Sequence, residues 1–493
     1  MKRIPKLLSK TKLMRGYRCH KCIYLTIHQP ELEPPVTPEL QALFDQGNLV
    51  GETARQYLPG GTLVDCKPWE FGDALTKTRQ LIASGTTTTI YEAAFEYMGC
   101  YARADIIQYS PESKRWSIYE VKSTTSVKQE HIKDIGLQTW IMAKSGLPIE
   151  KVHLMHLNRD CRYPDLSHLF ITADVTQAMR EHYPSVQPEV KEIFEVICKP
   201  AAPDIDIGPQ CLEPTECQFV AHCWKNIPAM SVFNLPSIRE RKWELYQQGI
   251  INLDDPRLTD LTELQQRAVN AYLTGERFID SAVIKEALHT WTFPLVFLDF
   301  ETINPAIPRY DGCKPYQQVP FQFSVHHLDC LDTELIHKEF LFDSAADPRP
   351  LLIQSLLAAC GTEGSIVAYY GKFEAARIQE MADFSAEHRD ALLALVDRIV
   401  DPLPIFREAV YDKEFAGSFS LKYVAPAILG SEQSYQGMAV ANGGEAQRAY
   451  DEMIAAAPER SAALRTALLA YCRQDTLVMA ELVKWMYGQT ATT

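Results

Sequence analysis

The segment PLVFLDFETINPAIP, Pro294–Pro308, constrains the fold of this 493-residue chain more than any other stretch. Leu295, Val296, Phe297, Leu298 and Phe300 make an apolar run of strand length, yet Asp299 and Glu301 sit at its end. Side chains alternate faces along a strand, so the two carboxylates point the same way, roughly 6–7 Å apart. Burying like charges side by side costs several kcal/mol per ion unless a counter-charge accompanies them. Hard oxygen ligands suit Mg²⁺ or Mn²⁺. A lone D-x-E is more often a strand end emerging into solvent, so partners elsewhere in the chain must decide.

A chain of this length holds about two to four domains. Its 46% hydrophobic and 23% charged content is ordinary for a soluble globular protein. No apolar run reaches the ~18 residues of a membrane span. The opening MKRIPKLLSKTKLMRGYRCHK lacks the apolar core of a signal peptide, so the expectation is a cytoplasmic protein with no membrane partner. Thirteen cysteines in so long a chain do not read as a disulfide framework; clustered ones suggest metal or cofactor ligation. The formal net charge of −14 argues against indiscriminate coating of nucleic acid, but it permits a local basic groove. Lys2, Arg3, Lys6, Lys10, Lys12, Arg15, Arg18 and Lys21 precede the first acid. They form a candidate phosphate-contacting patch or, equally, a solvated basic end.

Three regions follow from the patterning, and the fold class is α/β. Residues 1–228 mix strand and helix signals: TTTTIYEAAFEYMGCYARADIIQYS and RWSIYEVKST read as β-rich, and SVKQEHIKDIGLQTWIMAKSG as an amphipathic helix ending at Gly146. Residues 229–290 read as a polar helical bridge, with LYQQGIINLDDPRLTDL as a helix–turn–helix. In residues 291–493, strands at 294–300 and 319–329 alternate with helices.

Asp105, in ARADIIQYS, is separated by fourteen residues from Glu120 in WSIYEVKST. Glu120 and Lys122 share one strand face. Asp followed by Glu-x-Lys on the next strand is what phosphodiester hydrolysis needs. Asp105 and Glu120 would hold Mg²⁺, which polarises the phosphate, and the lysine would position water or offset charge. Glu92, in IYEAAFEY, is a further metal-side carboxylate, and Gln138 lies on the helix that would pack beside the site. Alone, E-x-K is a common surface ion pair; the ordered set of five is more specific. YEAAF, ARADII, YEVKS and LQTW resemble the PD-(D/E)xK nucleases, in particular the RecB-like branch that includes CRISPR-associated spacer-acquisition exonucleases. The resemblance implies a restriction-endonuclease-like domain with Glu92, Asp105, Glu120, Lys122 and Gln138 at its site. The histidine that many RecB-type nucleases carry ahead of the first acid has no obvious counterpart.

CLEPTECQFVAHCW supplies Cys211, Cys217 and Cys223, and YRCHKCIYL supplies Cys19 and Cys22. Such thiolates suit an iron–sulfur cluster or zinc. Iron–sulfur RecB-like nucleases place one cysteine before the nuclease core and three after it. The resemblance therefore implies a 4Fe-4S cluster on Cys19, Cys211, Cys217 and Cys223, with Cys22 as the alternative to Cys19. The C-x5-C-x5-C spacing departs from the family's C-x2-C-x5-C and leaves zinc open. A staple across so long a loop is worth about 5 kcal/mol at most, by analogy with a disulfide.

Partners for Asp299 and Glu301 appear downstream. LLAYCRQDTLVMAELVKWM reads as a helix, on which Tyr471 and Asp475 are four apart and share a face. The middle acid is open between Glu374, in VAYYGKFEAARIQEMA, and Asp401, in RIVDPLPIFREAV, with Glu374 the first choice. D-x-E on a first strand with Y-x3-D on a late helix resembles the DnaQ-like 3′–5′ exonucleases of the DEDDy kind. Their RNase H-like mixed-sheet fold implies two metals held by Asp299, Glu301, Glu374 and Asp475, with Tyr471 orienting the attacking water. LDFET, PAIPRYDGCKPYQQVPFQFSVHHL, GSFSLKYV and YCRQDT resemble a bacterial family called domain of unknown function 2779, whose members often follow an iron–sulfur RecB-like nuclease. The expectation is a two-nuclease protein that hydrolyses nucleic acid, DNA with a free end in the first place, for repair, defence or turnover. The alternatives are a nucleic-acid-binding scaffold with one or both sites inactive, and a zinc-stapled RNA-processing enzyme.

Overall fold

The computed structural model describes residues 6–490, which fall into two compact α/β units. Lys2 and Arg3 of the basic patch lie outside the described residues. One unit runs to Asn226 and includes Ala306–Arg309 and Cys313–Tyr316; the other comprises Ile227–Pro305, Tyr310–Gly312 and the chain from Gln317. Residues 229–290 therefore fall in the second unit. No helix among the described residues is long and apolar enough to cross a membrane.

The first unit is built on one sheet of seven strands: β1 (Leu8–Ser9), β2 (Thr62–Leu63), β3 (Thr89–Tyr97), β4 (Cys100–Ser110), β5 (Arg115–Lys122), β6 (Ile149–Leu157) and β7 (Phe170–Asp174). The β3–β4 hairpin turns through Met98 and Gly99, both at positive φ, the conformation that suits a two-residue turn to the strands' twist. β3, β4 and β5 run antiparallel, and β6 returns parallel to β5 after the helix Gln129–Lys144. That helix buries Leu137, Trp140 and Ile141 against Ile90, Ile107 and Ile118 of the sheet. Its amphipathic period is the one read from sequence. The returning loop joins this unit through Ala306, which packs with Val50, Leu157 and Leu169. Tyr163 N–H also donates to Cys313 O, at 3.0 Å.

The second unit carries a five-stranded sheet in the order β11–β10–β9–β12–β13. Its strands are β9 (Leu295–Ile303), β10 (Val319–Leu328), β11 (Ile336–Leu341), β12 (Ile366–Val367) and β13 (Ile399–Val400). The first three pair antiparallel, and β12 and β13 run parallel to β9. A separate short pair, β8 (Phe278–Ile279) with β14 (Val410–Tyr411), is antiparallel. β9 is central and covered on both sides, which is why its sequence is a continuous apolar run instead of an alternation. Val296, Leu298 and Phe300 pack with Leu352, Ile378 and Leu392. The opposite face, with Asp299 and Glu301, lies under the helix Pro458–Thr490.

Candidate metal centre and neighbouring clusters

Asp299 and Glu301 meet Asp475 of that helix, and each residue offers an oxygen within 4.8 Å of the others. Glu301 is 6% exposed and Asp299 half-buried, so these two are no strand end opening to solvent, and Asp475 above them is 8% exposed. Burial pushes the Asp299 carboxyl well up, and the charges of Asp475, Glu301 and Glu374 push it further. Glu301 is raised by burial and then by Asp475. Burial brings Asp475 up to about 6, against the pull of the Tyr435 hydroxyl, Lys422 and the Tyr471 hydroxyl. Tyr435 Oη donates to Asp475 Oδ1 at 2.5 Å, and the Cys472 thiol to Asp299 Oδ2 at 3.6 Å. The Lys422 ammonium stands 5.5 Å from the Tyr435 ring centroid and 5.6 Å from that of Tyr471. One ammonium facing three converging acids leaves an excess of negative charge, and an all-oxygen donor set fits a hard divalent cation.

Glu374 stands in the first turn of the helix Lys372–Phe384, 3% exposed, with Oε2 buried and without a hydrogen-bond partner. Burial first, then Asp401, raises its carboxyl to about 8. It lies outside the close trio but acts electrostatically on Asp299 and Glu301. Asp401 has a different occupation. Its Oδ1 accepts from Tyr370 N–H at 3.1 Å and Leu403 N–H at 2.9 Å, and its Oδ2 from Gly371 N–H at 3.1 Å. It caps the helix Pro402–Ala409 and pins the turn before Glu374. Tyr471 is buried, and its hydroxyl is raised by burial and by Asp475, so it stays a neutral phenol.

The first unit brings Asp105, Glu120, Lys122 and Gln138 together, and adds two residues that the sequence reading did not place there. Lys122 Nζ donates to Glu120 Oε1 at 2.9 Å and to Asp134 Oδ2 at 2.5 Å. Lys10 Nζ donates to the same Glu120 oxygen at 2.7 Å, to Asp134 Oδ2 at 3.2 Å and to Gln138 Oε1 at 3.5 Å. Glu120 Oε2 is buried without a partner. Asp105 Oδ2 accepts from Val121 N–H at 2.6 Å. Burial, then Glu120 and Glu92, raise the Asp105 carboxyl to about 8, and Lys10 opposes them. Glu92 accepts from Arg55 at 3.0 Å. Its φ of +58° interrupts the β3 ladder opposite Asp105. Among the described residues, these acids do not converge as closely as the trio of the second unit. Asp134 was legible as the residue one turn before Gln138; Lys10 was read only as part of the basic end. That end is largely engaged within the unit. Arg15 pairs with Glu33 at 2.8 Å, Arg18 donates to Gln210 O at 2.7 Å, and Lys21 donates to Ile205 O at 3.0 Å.

The five cysteines also gather. Cys22 and Cys217 pack with Leu25 and Phe219, Cys19 and Cys223 lie against them, and Cys211 acts on both Cys19 and Cys223. All are free thiols, with Cys22 Sγ 3.8 Å from Cys217 Sγ. The contact with Cys22 brings the Cys217 thiol down to about 6. Among the described residues no three sulfurs approach within 4.8 Å of one another.

A stretch of 169 residues is 27% identical to the "Uncharacterized protein MG366 homolog" of Mycoplasma pneumoniae (strain ATCC 29342 / M129 / Subtype 1), spanning 31% of this chain and 26% of that protein. A superposition on the crystal structure of SSO0001 covers 41% of this chain and 90% of that one, at 15% identity and a TM-score of 0.19. Residues 296–420, which hold Asp299, Glu301, Glu374 and Asp401, match the family described as Domain of unknown function (DUF2779).

Proposed function

We propose that the protein is a metal-dependent nuclease with two sites. The second unit would be a DnaQ-like exonuclease of RNase H-like fold, and the first a PD-(D/E)xK nuclease acting on nucleic acid, DNA in the first place. The convergence of Asp299, Glu301 and Asp475 carries this reading. The mixed sheet with its acids on the central strand supports the fold assignment. Asp299, Glu301 and Asp475 would hold the cation, with Glu374 beside them. When bound, the divalent metal supplies Lewis-acid polarisation of the phosphate and a more acidic water. Tyr471, neutral at working pH, orients a water by its hydroxyl, and Lys422 offsets charge on the phosphate. In the first unit Asp105 and Glu120 are the metal-side acids. Lys122 and Lys10, now clamped on Glu120, are the cations available to the phosphate. The cysteine cluster would seat a 4Fe-4S group as a staple, with zinc as the alternative; the gathering of Cys19, Cys22, Cys217 and Cys223 around Phe219 supports a ligand there.

A nucleic-acid-binding scaffold is the second reading, favoured by a glutamate at the middle acid and by the lysine clamp on Glu120. The test is cleavage of end-labelled single- and double-stranded DNA and RNA with Mn²⁺. Asp105→Ala and Asp299→Ala should each remove a separate part of the activity. Wild-type protein that binds every substrate and cuts none would reverse the choice.

A further inference from the structure

The second unit has a cavity of about 600 Å³, within the range of about 300–1,000 Å³ typical of ligand sites. Its walls include Tyr369, Tyr370, Arg407, Phe419 and Leu421. We propose that this cavity seats one nucleotide of a single strand, its base stacked on Tyr370 and its phosphate on the Arg407 guanidinium. The inference rests on the nuclease reading of the carboxylate centre, and names where its substrate strand lies.

Three observations carry it. Tyr370 is 56% exposed at a φ of +64°, a conformation that a bulky L residue avoids. An apolar ring held in this way over a cavity has no packing purpose within the unit. Arg407 is exposed on the helix Pro402–Ala409, with no ion pair or hydrogen bond among the described residues. Asp401 fixes both groups at once. It holds Tyr370 and Gly371 by their N–H groups and caps the helix that carries Arg407. The opposite wall is fixed by Tyr369 Oη, which donates to Phe419 O at 2.6 Å.

The cavity wall is linked to the acids through Asp401, which holds Tyr370 N–H and acts electrostatically on Glu374. Tyr370 lies one helical turn before Glu374, and Leu421 immediately precedes Lys422, the cation of the centre. A flat aromatic face with an adjacent guanidinium recognises a base and its phosphate without regard to sequence. A strand threaded here would deliver its next phosphodiester towards Asp299 and Asp475.

The test uses the full-length chain carrying Lys122→Ala, so that the second site reports cleavage. A single-stranded oligodeoxynucleotide containing 5-iododeoxyuridine is bound in EDTA, irradiated, and the crosslinked peptide sequenced. Binding and cleavage are then measured for Tyr370→Ala, Tyr370→Phe and Arg407→Gln. Crosslinking to Tyr370 is expected. Binding through this site should weaken about 5- to 150-fold in Tyr370→Ala and recover in Tyr370→Phe. The slope of log affinity against log salt should fall by about 0.7 in Arg407→Gln. KM should rise in the Ala variant with kcat nearly unchanged. Crosslinks only elsewhere, with unchanged binding in Tyr370→Ala, would overturn the inference, and cleavage in that same experiment would leave the nuclease reading standing. A Tyr370 crosslink in a protein that never cleaves would uphold the subsite and remove the nuclease reading.

Discussion

Replacing Asp299 by Asn tests the carboxylate centre at its most crowded member. Burial and the charges of Asp475, Glu301 and Glu374 raise this carboxyl well above its ordinary range, which favours its neutral form in the metal-free protein. Asn reproduces that neutral form at nearly the same volume and can still accept from the Cys472 thiol. Metal-free stability should therefore change by no more than about 1 kcal/mol. The metal-loaded state is different, because an anionic ligand is lost. Removing a residue that merely supports a ligand weakens metal affinity about 10- to 100-fold, so removing a ligand should exceed about 100-fold, or roughly 2.7 kcal/mol. At Mn²⁺ one hundred times the wild-type Kd, the metal stabilises the fold by about 2.7 kcal/mol, and the variant should lose nearly all of it. The assay is Mn²⁺ titration calorimetry with paired scanning calorimetry in EDTA and in Mn²⁺. The full-length chain would carry Asp105→Asn, so that only this centre responds. Equal Mn²⁺ affinity, or a loss of several kcal/mol in EDTA, would refute the reasoning. The second result would mean that Asp299 is an ionised structural partner.

Asp475 and Glu374, raised to about 6 and about 8, contribute stability fully present below their unfolded values near 4 and lost as pH rises through the folded values. Thermal melts in EDTA should therefore fall by several degrees between pH 5 and 8.5, while Mn²⁺ affinity rises and binding releases protons; a flat Tm and affinity would contradict this. Lys122→Ala should silence the first site while nucleic-acid binding persists. It should also cost about 1–3 kcal/mol in chemical denaturation, because Glu120 and Asp134 keep only Lys10; unchanged cleavage would make E-x-K a plain ion pair. Cys211→Ser should strip the brown colour of anaerobically purified protein and lower its Tm. Iron and sulfide analysis checks this, and a colourless, zinc-loaded wild type would reject the iron–sulfur assignment.

The second site was legible where its chemistry is local and periodic. D-x-E inside an apolar run and Y-x3-D on a helix each put two groups on one face, and the fold joins the faces through β9 and the helix above it. The capping role of Asp401 was not legible, since it depends on three backbone N–H groups that reach it from two different turns. Lys422, in the first turn of the helix Leu421–Leu429, and Tyr435, in a loop, escaped because no local spacing ties either to acids on other elements. Lys10 is the same case in the first unit. Its charge suggested a solvated end, but β1 pairs with β4 and carries it to Glu120. The region read as residues 291–493 also contains Ala306–Arg309 and Cys313–Tyr316, which pack with the first unit, a long-range return that no local pattern announces.

Anomalous diffraction at the manganese edge, from crystals of the full-length protein grown at pH 8 with Mn²⁺, addresses the metal centre most directly. The account predicts a peak bounded by Asp299, Glu301 and Asp475, with carboxylate oxygens about 2.2 Å away and Glu374 turned towards it. No peak there, with the three carboxyls still in mutual contact at saturating Mn²⁺, would contradict it.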